Sequence, residues 1–146
     1  MLILGAAGIV ILALGLVEFV VFEPPGQATG LKASITGVYA YDSKSGRTLD
    51  GDQKTFPRSQ PFAATVDWSG LPAGGSFGAR WFDSFQAPAG GVGPGAPGAL
   101  PSVVPVKLPE GMKSNLPGTY MFVVERYSGG QPVEVIARRQ VVVKAT

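Results

Sequence analysis

The sequence predicts an all-β fold, an antiparallel β-sandwich that follows a single membrane-spanning helix. Three observations support it. Residues 2–22 are continuously apolar apart from Glu18. Beyond residue 30, apolar side chains alternate with small or polar ones, as in strands with one buried face. Glycine, proline, aspartate and serine separate the alternating runs. The predicted order is a transmembrane helix at 1–23, a Pro/Gly linker at 24–30 and a β-sandwich domain at 31–146.

The apolar stretch is long enough to cross a bilayer. As a helix it would span ~32 Å, against a hydrocarbon core of ~30 Å. It lacks the basic start and the small-residue cleavage site of a signal peptide, so we expect it to be retained. Pro24 and Pro25 cannot continue a helix. Acidic residues Glu18 and Glu23 at its far end favour a β domain on the extracytoplasmic, or periplasmic, side of the cell membrane.

One face of this predicted helix carries small residues. Gly5, Gly8 and Gly15 share a stripe with Leu12 and Phe19. Small residues let a second transmembrane helix approach closely, although glycine is also frequent in membrane helices generally. We therefore predict that other transmembrane subunits pack along this stripe.

The β domain contains alternating apolar runs joined by turn sequences. In one run, Phe62, Val66 and Trp68 share a face. The pattern slips near Gly37, and a late run is interrupted at residues 138–139, which suggests a bulge or a turned edge. The six runs occupy residues 31–41, 61–69, 76–85, 102–108, 119–127 and 133–144. Short strands with turns between them predict an antiparallel sandwich.

One motif resembles the immunoglobulin-like β-sandwich. The segment Leu116–Tyr120, followed by Phe122 and Val124, is similar to the entry of a late strand in that family. There the tyrosine forms a "tyrosine corner", with its hydroxyl bonded to nearby backbone, and Trp81 resembles the family's core tryptophan. The resemblance covers roughly residues 31–144. The paired cysteines of antibody domains are absent, so it points to the wider bacterial group and implies a fold more than a function.

The composition excludes several kinds of chemistry. The chain has no histidine and no cysteine, which excludes disulfides, His or Cys metal sites and Ser-His or Cys-His catalysis. The net charge is only +2 and the basic residues are scattered, so a nucleic-acid surface is not expected. The segment Asp50–Asp52 lacks the later ligands of a calcium loop, and Asp67 and Asp83 have no spacing that marks a catalytic pair. We expect no enzyme activity, no cofactor and no metal.

Residues 87–101 are an uncharged Pro/Gly-rich segment. This composition does not suit a helix or an interior strand. Two alternatives remain, a loop joining two strands and an extended arm that lies on a partner. The arm would offer Pro88, Val92, Pro94, Pro97 and Leu100. Nearby, Phe82 and Phe85 are predicted to be exposed, although aromatic residues at alternating positions pack in a core by default.

Two functions suit this organisation. The first is a non-catalytic, single-span accessory subunit of a larger membrane complex, such as a respiratory or photosynthetic complex. Its partners would be the lipid bilayer and other transmembrane subunits, and not nucleic acid. The alternative is a free-standing, membrane-tethered surface module that binds glycan or protein. In the first case the glycine stripe contributes to assembly, and in the second the domain carries an exposed aromatic cluster.

Overall fold

Two β-sheets make up the protein in a computed structural model, which describes residues 28–145. In chain order the strands are β1 (Ser34–Asp42), β2 (Arg47–Leu49), β3 (Thr55–Phe56), β4 (Phe62–Asp67), β5 (Ser76–Phe82), β6 (Pro88–Gly95), β7 (Val103–Pro105), β8 (Gly118–Ser128) and β9 (Gln131–Val143). One turn of 3-10 helix, Pro97–Ala99, lies between β6 and β7. Each of the six alternating runs overlaps one strand, so the period-two pattern located β1, β4, β5, β7, β8 and β9.

The sheets have four and five strands. Their orders are β2-β1-β4-β7 and β3-β9-β8-β5-β6. All pairs between these strands are antiparallel except β3 with β9, which is parallel. The all-β prediction is confirmed, with this one parallel pair where antiparallel pairing was expected throughout.

Register shifts interrupt the pairing of the strands, and one of them buries an apolar side chain. The predicted slip near Gly37 is present as a register shift between Ile35 and Gly37 in the pairing of β1 with β4. The bulge predicted at residues 138–139 lies instead at Ile136, which has no partner between the pairs of Val135 and Ala137. The bulge turns Ile136 into the core, where it is 5% exposed, and leaves the two arginines in regular pairing.

Aromatic side chains fill the space between the sheets. The Trp81 indole is fully buried and packs edge-on against Phe62, with ring centroids 5.3 Å apart. Its N–H donates to the Val104 carbonyl oxygen at 2.8 Å, which joins β5 of one sheet to β7 of the other. Phe56 stacks on Phe62 at 4.6 Å. Truncating Trp81 to alanine would cost about 3–5 kcal/mol, since it removes both the packing and a bond between the sheets.

Tyr120 ties the loop before β8 to the core. Its ring is 1% exposed, and its hydroxyl accepts a hydrogen bond from the Leu116 N–H at 3.0 Å. The resemblance implies a bond from this hydroxyl to nearby backbone, and the immunoglobulin-like family itself stays a prediction. Burial raises the pKa of the Tyr120 hydroxyl. The same loop is fixed by Asn115, whose side chain donates to the Gln60 carbonyl oxygen at 3.1 Å.

The predicted fold class needs one correction. Between residues 28 and 145 the regular elements are strands and one 3-10 turn, and no helix there is long and apolar enough to cross a membrane. The alternating pattern accounts for this, because it presents one buried face per strand and offers no helical stripe. The helix predicted at residues 1–23, with its stripe of Gly5, Gly8, Leu12, Gly15 and Phe19, lies outside the described residues, as does linker segment 24–27. The structure thus supports the all-β part of the predicted class and not its helical part.

The Pro/Gly-rich segment forms an edge strand. Residues 88–95 are β6, which pairs with β5 at the edge of the five-stranded sheet with two register shifts. An edge tolerates proline because one side of the strand needs no backbone donor. Glycine is required by close packing: a Cβ on Gly91 would lie 2.5 Å from the Ala79 carbonyl oxygen.

Candidate docking surface

The turn between β5 and β6 is built around one carboxylate. Asp83 Oδ1 accepts hydrogen bonds from the backbone N–H groups of Phe85, at 2.8 Å, and Ala87, at 3.0 Å. The Gln86 N–H donates to the Asp83 carbonyl oxygen at 2.9 Å, and Gln86 adopts a φ of 65°. Aspartate favours such turns because its short side chain reaches the backbone two residues ahead. The backbone around Phe85 is therefore held in place.

The turn is also fastened to the start of β8. The Ser84 hydroxyl donates to the Pro117 carbonyl oxygen at 2.8 Å. At Gly118, with a φ of 119°, a Cβ would lie 2.6 Å from the Ser84 Cβ. Only glycine permits this approach. Two segments that are distant in sequence thus form one rigid end of the sandwich.

Phe85 projects from this rigid end into solvent. Its side chain is 76% exposed, more than Leu49 at 43% or Val142 at 40%. Burying the ring on a partner would contribute about 2 kcal/mol to binding. The fixed backbone means that little conformational freedom is lost when it docks. Large aromatic side chains held this way are typical anchors of protein interfaces.

Phe82 does not belong to this surface. It is 6% exposed and packs with Met121, Val123 and Val135 on the outer face of the five-stranded sheet. The Arg80 guanidinium lies 4.9 Å from its ring centroid. The predicted exposure is wrong for Phe82, because neighbouring strands and a long arginine stem cover it, and it is right for Phe85.

A cleft of about 310 Å³ adjoins the turn. Its wall includes Asp83, Pro88, Lys107, Glu110 and Tyr120. It carries both signs of charge and is large enough for one side chain of a partner. The Phe85 ring and this cleft, together called the Phe85 surface, make the candidate docking surface.

The residues of the predicted arm are divided between core and solvent. Val92 and Leu100 pack against the main hydrophobic core, and Pro97 is buried. Pro88 and Pro94 are exposed. Most of the segment therefore packs against its own domain. Contact with a partner stays a prediction for the two exposed prolines.

Carboxylates considered for chemistry hold the backbone instead. Asp67 accepts hydrogen bonds from the Ser69 hydroxyl at 2.6 Å and its N–H at 3.0 Å, and the hydroxyl lowers the pKa of Asp67. Asp52 accepts from the Val38 N–H at 2.8 Å, the main cause of its lowered pKa, and pairs with Arg139 at 3.0 Å. No group of three or more acidic side chains that could hold a metal ion occurs between residues 28 and 145.

Glu125 is a charged group whose burial the sequence pattern did not reveal. It is fully buried and accepts hydrogen bonds from Arg80 Nε and Nη2, each at 2.7 Å. This hydrogen bonding is the main cause of the raised pKa of Arg80. Because Arg80 and Glu125 stand nearly opposite each other on β5 and β8, only knowledge of the strand register could have paired them.

The sequence offered a partial signal for the Phe85 surface. An aspartate two residues before Phe85, at Asp83, is typical of an Asx turn. The far wall of the cleft, at Lys107 and Glu110, depends on how β7 leaves its sheet and carries no local signature. No family model, curated protein or solved structure matches the chain.

Proposed function

We propose that this chain is a non-catalytic accessory subunit that binds another protein through the Phe85 surface. The observation that carries the proposal is the rigid display of one exposed phenyl ring beside a cleft. Among the phenylalanines between residues 28 and 145, Phe85 alone is exposed. Leaving the ring in water contributes nothing to folding, and an aromatic side chain presented on a fixed backbone is typical of a protein interface.

Features of the acidic side chains also favour a binding role. Chemistry without histidine or cysteine needs a carboxylate, lysine or tyrosine with a free, activated group. Asp52, Asp67 and Asp83 each cap a backbone N–H, and Glu125 is committed to Arg80. These side chains support the architecture of turns and strands, which suits a scaffold that presents a surface.

The proposed setting is a membrane complex, with the β domain on the extracytoplasmic side. The apolar stretch of residues 2–22 supports a location at the membrane. The alternative of a free-standing surface module predicted a cluster of exposed aromatic rings. Burial of Phe82 leaves Phe85 without a phenylalanine neighbour in solvent, and a single anchor suits a protein interface better than a stacking platform.

Site-specific photocrosslinking tests the proposal in cells that express the full-length chain. A photoreactive phenylalanine analogue is placed at position 85 and, as a matched control, at Leu49, which is exposed on the other sheet. We expect one discrete crosslinked species from position 85 and none from position 49. We also expect Phe85→Ser to abolish co-purification of the crosslinked protein while the melting temperature stays unchanged. The same crosslinks from both positions, or intact co-purification of Phe85→Ser, would refute this function.

A further inference from the structure

A second concave surface lies over β5 and β6, on the outer face of the five-stranded sheet. It encloses about 420 Å³. The part used below, called the glycine-floored groove, consists of Arg80, Gly91, Gly93, Lys107 and Tyr127. Its floor lacks side chains because β6 runs so close to β5. A Cβ on Gly93 would lie 2.7 Å from the Phe77 carbonyl oxygen.

The groove carries two cations and no free acid. Arg80 uses Nε and Nη2 to bind Glu125, and its side chain remains 37% exposed. The side-chain hydrogen bonds that Arg80 forms within residues 28–145 come from Nε and Nη2, which leaves Nη1 for a ligand. Lys107 is exposed, and its ammonium group forms no ion pair within that range. Glu125 is fully buried and neutralises one of the two cations. The groove therefore presents a net single positive charge to a ligand.

An extended peptide does not fit along this edge. Peptides that bind a sheet edge form a ladder of main-chain hydrogen bonds. Pro88 and Pro94 lack the N–H that such a ladder needs, and β6 has two register shifts. The Ala89 carbonyl oxygen is already bonded to the Lys107 N–H at 2.7 Å. A ligand here must bind through side-chain contacts and a flat face.

We propose that the glycine-floored groove binds an acidic saccharide, a sugar chain that carries uronic acid carboxylates. One carboxylate would lie between Arg80 Nη1 and the Lys107 ammonium group, as charge-assisted hydrogen bonds require. The C–H face of the sugar ring would rest on the bare floor at Gly91 and against the ring of Tyr127. Phe85 takes no part in this site, whereas Lys107 lines both the groove and the cleft of the Phe85 surface.

Calorimetric titration of the purified full-length chain at low salt tests the site. The probe is tetragalacturonate, and the matched probe is its fully methyl-esterified form, which keeps the rings and loses the charges. We expect the acid to bind and the ester not to bind. Lys107→Gln should weaken binding about fivefold. Lys44→Gln, with the same charge change at an exposed turn remote from the groove, should leave it unchanged.

Two further variants address the remaining contacts. Arg80→Met combined with Glu125→Leu removes both charges without leaving either one unpaired, and should also weaken binding. Tyr127→Leu should also weaken binding, because it removes the ring on which the sugar rests. Equal binding of acid and ester, or equal effects of Lys107→Gln and Lys44→Gln, would overturn the proposal. Tighter binding of a pentaglutamate peptide with the same dependence on Lys107 would overturn the assignment to a saccharide.

Discussion

The ion pair between Arg80 and Glu125 makes an asymmetric stability prediction. Glu125 is fully buried in the middle of β8, whereas the Arg80 side chain on β5 is 37% exposed. Both carboxylate oxygens lie 2.7 Å from guanidinium nitrogens. Removing the arginine leaves a carboxylate out of reach of water, while removing the glutamate leaves a cation that water can still solvate. The two single substitutions should therefore differ in cost.

The magnitudes follow from this difference in exposure. Arg80→Met leaves a buried carboxylate with no counter-charge and only the long hydrogen bond from the Tyr127 hydroxyl, at 3.4 Å, and should cost about 3–5 kcal/mol. Glu125→Leu keeps the volume and leaves a solvated arginine, so we expect about 1–2 kcal/mol. In the double variant neither charge is left unpaired, and its cost should be about 0–2 kcal/mol. The sum of the single costs thus exceeds the cost of the double variant by about 2–7 kcal/mol.

Urea unfolding of the full-length chain measures these costs. Trp81 and Trp68 are both buried, so their fluorescence reports the loss of the sandwich core. Arg139→Met is the control, because Arg139 pairs with an Asp52 side chain that is 45% exposed and should cost less than about 1 kcal/mol. Equal costs for Arg80→Met and Glu125→Leu would refute the reasoning. Additivity of the two within about 0.5 kcal/mol would refute it as well.

Three further predictions concern the turn, the edge strand and acid stability. Asp83→Ala removes two backbone caps, so it should destabilise the protein by about 1–2 kcal/mol and speed hydrogen exchange at the amides it caps. Gly91→Ala should cost about 1–3 kcal/mol in urea unfolding because its Cβ meets a backbone oxygen at 2.5 Å, whereas Gly70→Ala, with open space around it, should be near neutral. The pKa of Glu134 is lowered from 4.5, chiefly by its hydrogen bond from Arg126, so its stabilisation is present above pH 4.5 and is lost as pH falls through the lowered value. Glu134→Gln should flatten the acid limb of a stability–pH profile, and an unchanged slope would contradict this.

Local sequence pattern predicted the strands whose neighbours bury one face. Phe62 and Val66 in β4, and Phe77 and Trp81 in β5, alternate with less apolar residues and all enter the core. Besides β6, the pattern missed β2 and β3, which have three and two residues. Two or three residues are too few to show an alternating pattern. These short strands form because longer strands offer free backbone groups beside them. The bulge was predicted at residues 138–139 and lies at Ile136, because the pairing with β8 decides which residue of β9 is left without a partner.

The docking surface was less accessible to sequence reasoning than the core. Phe82 and Phe85 lie three residues apart in the predicted run 76–85, yet Phe82 is buried and Phe85 is exposed. What separates them is the place where β5 ends and the Asp83 turn begins, together with the cover that β8 and Arg80 give to Phe82. Burial on the outer face of a sheet depends on cross-strand neighbours, and register is needed to identify these.

The composition of residues 87–101 is explained by close packing. A Cβ at Gly90 would lie 2.8 Å from the Pro105 carbonyl oxygen, so β6 is pressed toward β7 as well as toward β5. Glycine allows this close approach. Proline interrupts main-chain hydrogen bonding at a free sheet edge that could otherwise pair with another chain. The same residues shape both concave surfaces, since Pro88 and Lys107 line the cleft beside Phe85 and the glycine-floored groove. An uncharged Pro/Gly segment between strand-like runs can therefore indicate a tightly packed edge whose surfaces bind through side chains, and it need not indicate a free arm.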